Sequence, residues 1–117
     1  MLVTKEFTFD SAHNLPNYHG KCERLHGHTY RLQVTIAAPI DAATGMALDF
    51  AILGDIVERE VVQVLDHRYL NELIPISSAE NVALWIWTKL DGKLPRAKLH
   101  EIKLWETPTS SVTLRQE

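Results

Sequence analysis

Within seven residues, Cys22-Glu23-Arg24-Leu25-His26-Gly27-His28, the chain offers one thiol and two imidazoles. A cation nearby favours the thiolate of such a cysteine, which then acts as a base or nucleophile. Two histidines two positions apart on a strand leave the sheet from one face, so their rings point at a common spot and can share an ion. Neutral imidazole suits Zn²⁺ and also takes other first-row metals. His13 is a third candidate ligand. Phe7 and Phe9 share one parity of a strand beginning near Val3, and unbroken alternation carries His13 onto the same covered face. Asp66-His67, where a helix is expected to end, and Glu106, at the end of a later strand, complete the residues with chemical potential. His19 and His100 read as surface residues, and Trp85, Trp87 and Trp105 as packing.

The elements that must position these side chains follow from periodicity. Tyr30, Leu32, Val34 and Ile36 alternate with Thr29, Arg31, Gln33 and Thr35, which is a half-buried strand continuing the parity of His26 and His28. Residues 14–21, with Pro16, Asn17 and Gly20, form a loop that returns the chain antiparallel and brings His13 beside that pair. Residues 41–45 form a turn before a short extended piece at 46–48, and Asp49 can cap a helix. Ile56, Val57, Val61, Val64 and Leu65 then recur at helical spacing up to Asp66-His67. Residues 69–75 read as a loop. Ser77 with Glu80 is a capping box for a second helix with apolar face Ala83, Ile86, Trp87 and Leu90, closed by Asp91-Gly92. Residues 99–106 and 112–115 are two final strands. The order ββααββ implies an α+β domain, an antiparallel sheet with two helices on one face.

The 117 residues read as one domain, 1–117, small enough that oligomerisation helps bury its faces. A formal charge of −3 with both signs interspersed gives no global field for nucleic acid or membrane. No run of about 18 apolar residues occurs. A single cysteine excludes an internal disulfide and agrees with a reducing, cytoplasmic location.

The chain also resembles the 6-pyruvoyltetrahydropterin and 6-carboxytetrahydropterin synthases, the latter acting in queuosine biosynthesis. The resemblance runs end to end through Phe9-Asp10-Ser11-Ala12-His13, Cys22-x-x-x-His26-Gly27-His28, Leu48-Asp49-Phe50, Leu65-Asp66-His67-x-x-Leu70-Asn71, Ser78-x-Glu80-Asn81 and Glu106-Thr107. It implies a tunnelling fold whose subunits join sheets into an oligomeric barrel, a dimer of trimers, with sites at subunit boundaries. It implies zinc on His13, His26 and His28, with a coordination position left open, as a catalytic site needs. The implied substrate is 7,8-dihydroneopterin triphosphate. Cys22 would be the general base, Asp66 and His67 a proton relay facing it across a subunit boundary, and Glu106 the acceptor for the pterin's N–H groups, with Ser78 and Thr107 lining the pocket.

The three-residue gap between Cys22 and His26 resembles the bacterial carboxytetrahydropterin type, which releases triphosphate and acetaldehyde. Glu23 beside Cys22 resembles a branch that cleaves the side chain to 6-hydroxymethyl-7,8-dihydropterin for folate, so Glu23 is a further catalytic candidate; the pyruvoyl type is the other alternative. A non-catalytic zinc- or pterin-binding oligomer is the alternative of another class, and it would dispense with Cys22, Asp66 and His67, all of which are present. Lys21, Arg24, Arg31 and Arg115 are candidate anion contacts.

Overall fold

A computed structural model describes residues 1–16 and 18–116; Asn17, expected in the loop after the first strand, and Glu117 lie outside the described residues. Strands β1 (Leu2–His13) and β2 (His26–Ala37) pair antiparallel in continuous register from Leu2↔Ala37 to His13↔His26. Because no bulge interrupts this pairing, parity survives along β1. Phe7, Phe9, Ser11 and His13 are all buried, whereas Thr8 and Asp10 between them are exposed.

The last two residues before the turn-rich middle of the chain correct the expectation of a purely antiparallel sheet. β3 (Arg68–Tyr69) pairs parallel to β1 through Ser11↔Arg68 and Ala12↔Tyr69, where the helix end is expected to pass straight into the loop 69–75. The cause is local. The first helix ends at Asp66, and His67 adopts a left-handed backbone with φ 56°. Its N–H then donates to the Asp10 carbonyl, laying the next residues along the edge of β1. With β4 (Lys98–Thr107) and β5 (Ser110–Arg115), the mixed sheet has the order β3-β1-β2-β4-β5.

The first helical run starts at Phe50–Val57, where the Asp49 carboxylate accepts from the Ala51 N–H at 2.8 Å as expected of a cap. It passes through a π turn, Glu58–Val62, before Gln63–Leu65. The extra residue of the π turn is invisible to a helical periodicity that tolerates spacings of three or four. Residues 46–48 are not a strand; the Asp41 N–H donates to the Met46 carbonyl at 2.9 Å, closing a turn instead. The second helix, Ala79–Leu90, is capped by Ser78, one residue later than the capping box predicted, with the Asn81 N–H donating to its Oγ at 3.2 Å. Ser77 is thereby released for another task.

Phe7, Phe9, Tyr30, Leu32, Val34, Ile36, Ile102 and Leu104 form the buried sheet face, packed with Leu53, Val57, Val61, Leu65, Val82, Ile86 and Leu90 of the helices. Each such side chain contributes about 1.5–3 kcal/mol when removed from water. This core fixes the inner face of β1, β2 and β4, from whose ends the chemical side chains project. Among the described residues no helix is long and apolar enough to cross a membrane.

Candidate active site

The register puts His13 directly opposite His26, and His28 opposite Ser11 on the same face. The three rings meet edge to face with centroids 4.6–5.0 Å apart. One nitrogen from each lies within 4.8 Å of the others, which makes His13, His26 and His28 a set capable of holding a metal. Backbone carbonyls orient two of the rings. His13 Nδ1 donates to the Ser77 carbonyl at 2.7 Å, and His26 Nδ1 donates to the Arg24 carbonyl at 2.8 Å. A carbonyl oxygen only accepts, so the proton sits on Nδ1 and Nε2 presents its lone pair inward.

The Nε2 atoms of His13 and His28 are buried without a hydrogen-bond partner. Unpaired buried polar atoms are rare because each forfeits its hydration, and lone pairs converging on one point are what a cation satisfies. Burial holds the His28 imidazole below its ordinary pKa, with His13 and His26 beside it acting in the same direction and Glu106 against it. That favours the neutral, ligating form. By residue type, orientation and protonation the set fits a first-row divalent cation.

Glu106 joins this cluster from β4. It has the inward parity of Ile102 and Leu104, and the β4–β5 pairing shifts register between Trp105 and Thr107, a bulge that leaves Glu106 out of the ladder. Its carboxylate stands 3.5 Å from His28 Nε2 and 4.0 Å from His13 Nε2. Tyr30, in sequence one of the alternating apolar set of β2, also faces the cluster. It stacks on Phe9 with centroids 5.0 Å apart, its ring lies 5.6 Å from that of His28, and its fully buried hydroxyl has no partner. Burial first, and the Glu106 charge second, push that phenol well above its ordinary pKa, so it stays a neutral donor. The sequence held one signal for it. Tyr30 is the only residue of the alternating set Tyr30, Leu32, Val34 and Ile36 with a polar tip.

The remaining expected site residues lie elsewhere. Cys22 is a half-buried free thiol in a 3₁₀ turn, Lys21–Glu23, tied to the end of β1 by the Leu15 N–H, which donates to the Cys22 carbonyl at 2.7 Å. The Glu23 carboxylate lies 3.4 Å from the exposed His19 ring. Asp66 Oδ1 accepts from the Asp10 N–H at 2.9 Å, while its other oxygen lies 3.0 Å from His67 Nδ1. His67 is 79% exposed. With Asp10, Ala12, Gly27, Thr29 and Tyr69, and with Ser11 and His28 of the histidine parity, it lines a shallow groove at the edge of β1 and β2. Ser78 spends its hydroxyl on the helix cap, and Thr107 Oγ1 accepts from the Thr109 N–H at 3.4 Å. A single chain therefore unites His13, His26, His28 and Glu106, while Asp66 and His67 pair with each other beside a groove that His28 also lines.

These positions can be set against known proteins. The family model described as 6-pyruvoyl tetrahydropterin synthase matches residues 2–117. The 6-carboxy-5,6,7,8-tetrahydropterin synthase of Synechocystis sp. is 39% identical, the alignment covering 94% of this chain and 89% of that protein. The human 6-pyruvoyl tetrahydrobiopterin synthase is 33% identical, covering 98% of this chain and 91% of its own length. The solved 6-pyruvoyl tetrahydropterin synthase of Caenorhabditis elegans superimposes with a TM-score of 0.88 at 26% identity, over 100% of this chain and 96% of that one. A match that spans every element from β1 to β5, including those that carry the histidine set and Glu106, shows that the chain belongs to the 6-pyruvoyl tetrahydropterin synthase family.

Proposed function

We propose that the protein is a 6-carboxy-5,6,7,8-tetrahydropterin synthase that converts 7,8-dihydroneopterin triphosphate with loss of triphosphate and acetaldehyde, serving queuosine biosynthesis in the cytoplasm. The observation that carries this reading is the convergence of three oriented, partly unpartnered imidazoles with the Glu106 carboxylate at one end of the sheet. His13, His26 and His28 would hold Zn²⁺, which when bound supplies Lewis acidity beside the substrate's side-chain hydroxyls. Glu106 accepts from the pterin's amino and ring N–H groups, since an ionised carboxylate offers only acceptors. In the same reading Ser78 and Thr107 would line the pterin pocket. Cys22 removes a proton from the substrate side chain as general base, and Asp66-His67 deliver and take up protons.

This division of labour needs more than one copy. His67 is 79% exposed and bonded to Asp66, free to serve a neighbouring copy, so in this reading the relay for one Cys22 comes from another chain of a homo-oligomer, a dimer of trimers. The outer side of β5 supports it, because among the described residues β5 pairs with β4 alone and leaves an edge able to pair with a second sheet. The Asp66 carboxylate, held low first by the Asp10 N–H and then by His67, and the His67 imidazole, held high by Asp66, form a pair already biased toward proton storage on the ring.

The Glu23 carboxylate, 49% exposed, faces the His19 ring, which is 98% exposed, and the hydroxymethyl branch would need it turned to the substrate instead. The deciding experiment is mass spectrometry of the products formed by zinc-loaded protein and 7,8-dihydroneopterin triphosphate, repeated with Glu23→Ala. Carboxytetrahydropterin from both forms bears the reading out. Hydroxymethyl-dihydropterin that disappears in the variant overturns it in favour of a Glu23-dependent cleavage, and no turnover at all in either form leaves a pterin-binding oligomer.

A further inference from the structure

Asn71 and Ser77 belong to no step of the chemistry above, yet their side chains are among the most heavily hydrogen-bonded in the molecule. Asn71 lies in the 3₁₀ turn Leu70–Glu72. Its Oδ1 accepts from the Asn14 N–H at 3.1 Å and from the Ser77 hydroxyl at 2.9 Å. Its Nδ2 donates to the Asn14 carbonyl at 2.8 Å and to the Pro75 carbonyl at 3.1 Å. The carboxamide thus clasps both backbone groups of the residue next to His13, as a neighbouring strand would, with all four of its bonding sites used. Ser77, fully buried, places its carbonyl 2.7 Å and its hydroxyl 3.3 Å from His13 Nδ1.

The same residue reaches the cysteine turn. Asn14 Nδ2 donates to the Glu23 carbonyl at 3.3 Å, and Asn14 Oδ1 accepts from the Tyr69 hydroxyl at 2.7 Å. Asn14 therefore ties the end of β1, the turn that carries Cys22 and the β3 edge into one knot, and Asn71 holds that knot against the segment before the second helix.

We infer that Asn71 is a positioning residue whose carboxamide, through Asn14 and Ser77, fixes His13 as the Nδ1-protonated tautomer and holds the Cys22 turn in register with it. The inference rests on the metal-site reading only for its consequence in affinity; the tautomer is a property of the metal-free chain. Losing a partner that orients a metal ligand costs on the order of tenfold or more in affinity. Nothing in Asn71 touches the ion or the substrate in this arrangement, so its effect must pass through His13 and the turn.

The test uses ¹⁵N-labelled, metal-free protein, wild type and Asn71→Ala, with Asn71→Asp as the variant that keeps the two accepted bonds and loses the two donated ones. Long-range ¹H–¹⁵N spectra report the His13 tautomer, a chromophoric chelator competing for Zn²⁺ reports affinity, and iodoacetamide reports Cys22 accessibility. The expected result is a single Nδ1–H tautomer in the wild type and mixed tautomers in Asn71→Ala. Zn²⁺ affinity falls about tenfold, Cys22 alkylation quickens, and Asn71→Asp lies between. If Asn71→Ala fails to fold, Ser77→Ala stands in, with a smaller change in the same direction. Folded variants that keep the wild-type tautomer and alkylation rate overturn the inference. A tautomer that moves while no form binds Zn²⁺ upholds the positioning role and overturns the metal reading instead.

Discussion

His28 and His67 border the same few residues of β1 and β2, and their surroundings push them to opposite protonation states. His28 is 17% exposed beside two other imidazoles, and burial keeps its ring neutral. His67 is 79% exposed on a left-handed backbone, and its bond to Asp66 raises its pKa above the ordinary value. A metal ligand needs the first condition and a proton carrier the second. Two histidines that line one groove thus differ in the way the proposed division between metal ligand and proton relay requires.

The largest expected effects separate the two regions. His28→Ala should abolish both Zn²⁺ binding and turnover. Cys22→Ala should keep fold and metal while turnover falls on the order of 10² to 10⁴, the usual contribution of a positioned base. Metal content by atomic emission beside product formation distinguishes them, and equal metal loss would make Cys22 a ligand. His67→Ala should match Cys22→Ala in this respect. Mixed oligomers assembled from denatured Cys22→Ala and His67→Ala chains should then recover about a quarter of wild-type turnover, because a boundary site draws its base and its relay from different copies. Mixtures as inactive as their parents would confine the relay to one chain and break the comparison.

Glu106→Gln sharpens the buried side. It keeps the shape but replaces an acceptor-only group with one that presents a donor to the pterin N–H groups. The expectation is a KM raised by about 10- to 100-fold, consistent with loss of charge-assisted hydrogen bonds, with Zn²⁺ affinity nearly unchanged. A variant that loses the metal instead would assign Glu106 to the ion.

What the sequence made legible was whatever obeys a period. Two-residue alternation carried His13, His26, His28 and Glu106 to one face because β1 and β2 pair without a break and because the bulge at Glu106 spares its inward parity. The two-strand, two-helix, two-strand order and the Asp49 cap were legible for the same reason. Contacts between distant, aperiodic residues were not. Parallel pairing of Arg68–Tyr69 depends on one left-handed backbone at His67, a conformation uncommon for any residue but glycine even though histidine is enriched in it. The cap moved from Ser77 to Ser78 because two adjacent serines are equivalent in sequence, and only the buried knot of Asn71 and His13 distinguishes them. Tyr30 was hidden by its own periodicity, since a tyrosine on an apolar parity reads as core.

That tyrosine yields a smaller and more discriminating effect. Its hydroxyl is fully buried and unpartnered, so Tyr30→Phe removes a desolvated group without opening a cavity. The metal-free variant should be as stable as wild type or more so, by on the order of 1 kcal/mol in urea unfolding. Its KM for the pterin triphosphate should nevertheless rise several-fold, because the bound ligand then lacks the donor that the hydroxyl provides. Loss of stability in the metal-free variant would mean the hydroxyl is already satisfied.

The smallest effect tests the exposed side. His67 has its pKa raised in the folded chain, so the pair's contribution is complete below the unfolded imidazole value of about 6.5 and disappears as pH rises through the folded value. Asp66 has its pKa lowered, so its part is present above the unfolded carboxylate value of about 3.9 and disappears as pH falls through the folded one. Both contributions coexist between these limits. Because both groups face solvent, screening keeps the stability effect slight, and the imidazole C2–H titration by NMR is the sharper probe. Asp66→Asn should lower the His67 pKa toward its ordinary value and flatten the loss of stability as pH rises above about 6.5. An unchanged His67 titration would show that Asp10 or the strained backbone, not Asp66, keeps the proton there. The relay would then have lost its acid, and the contrast with His28 would rest on exposure alone.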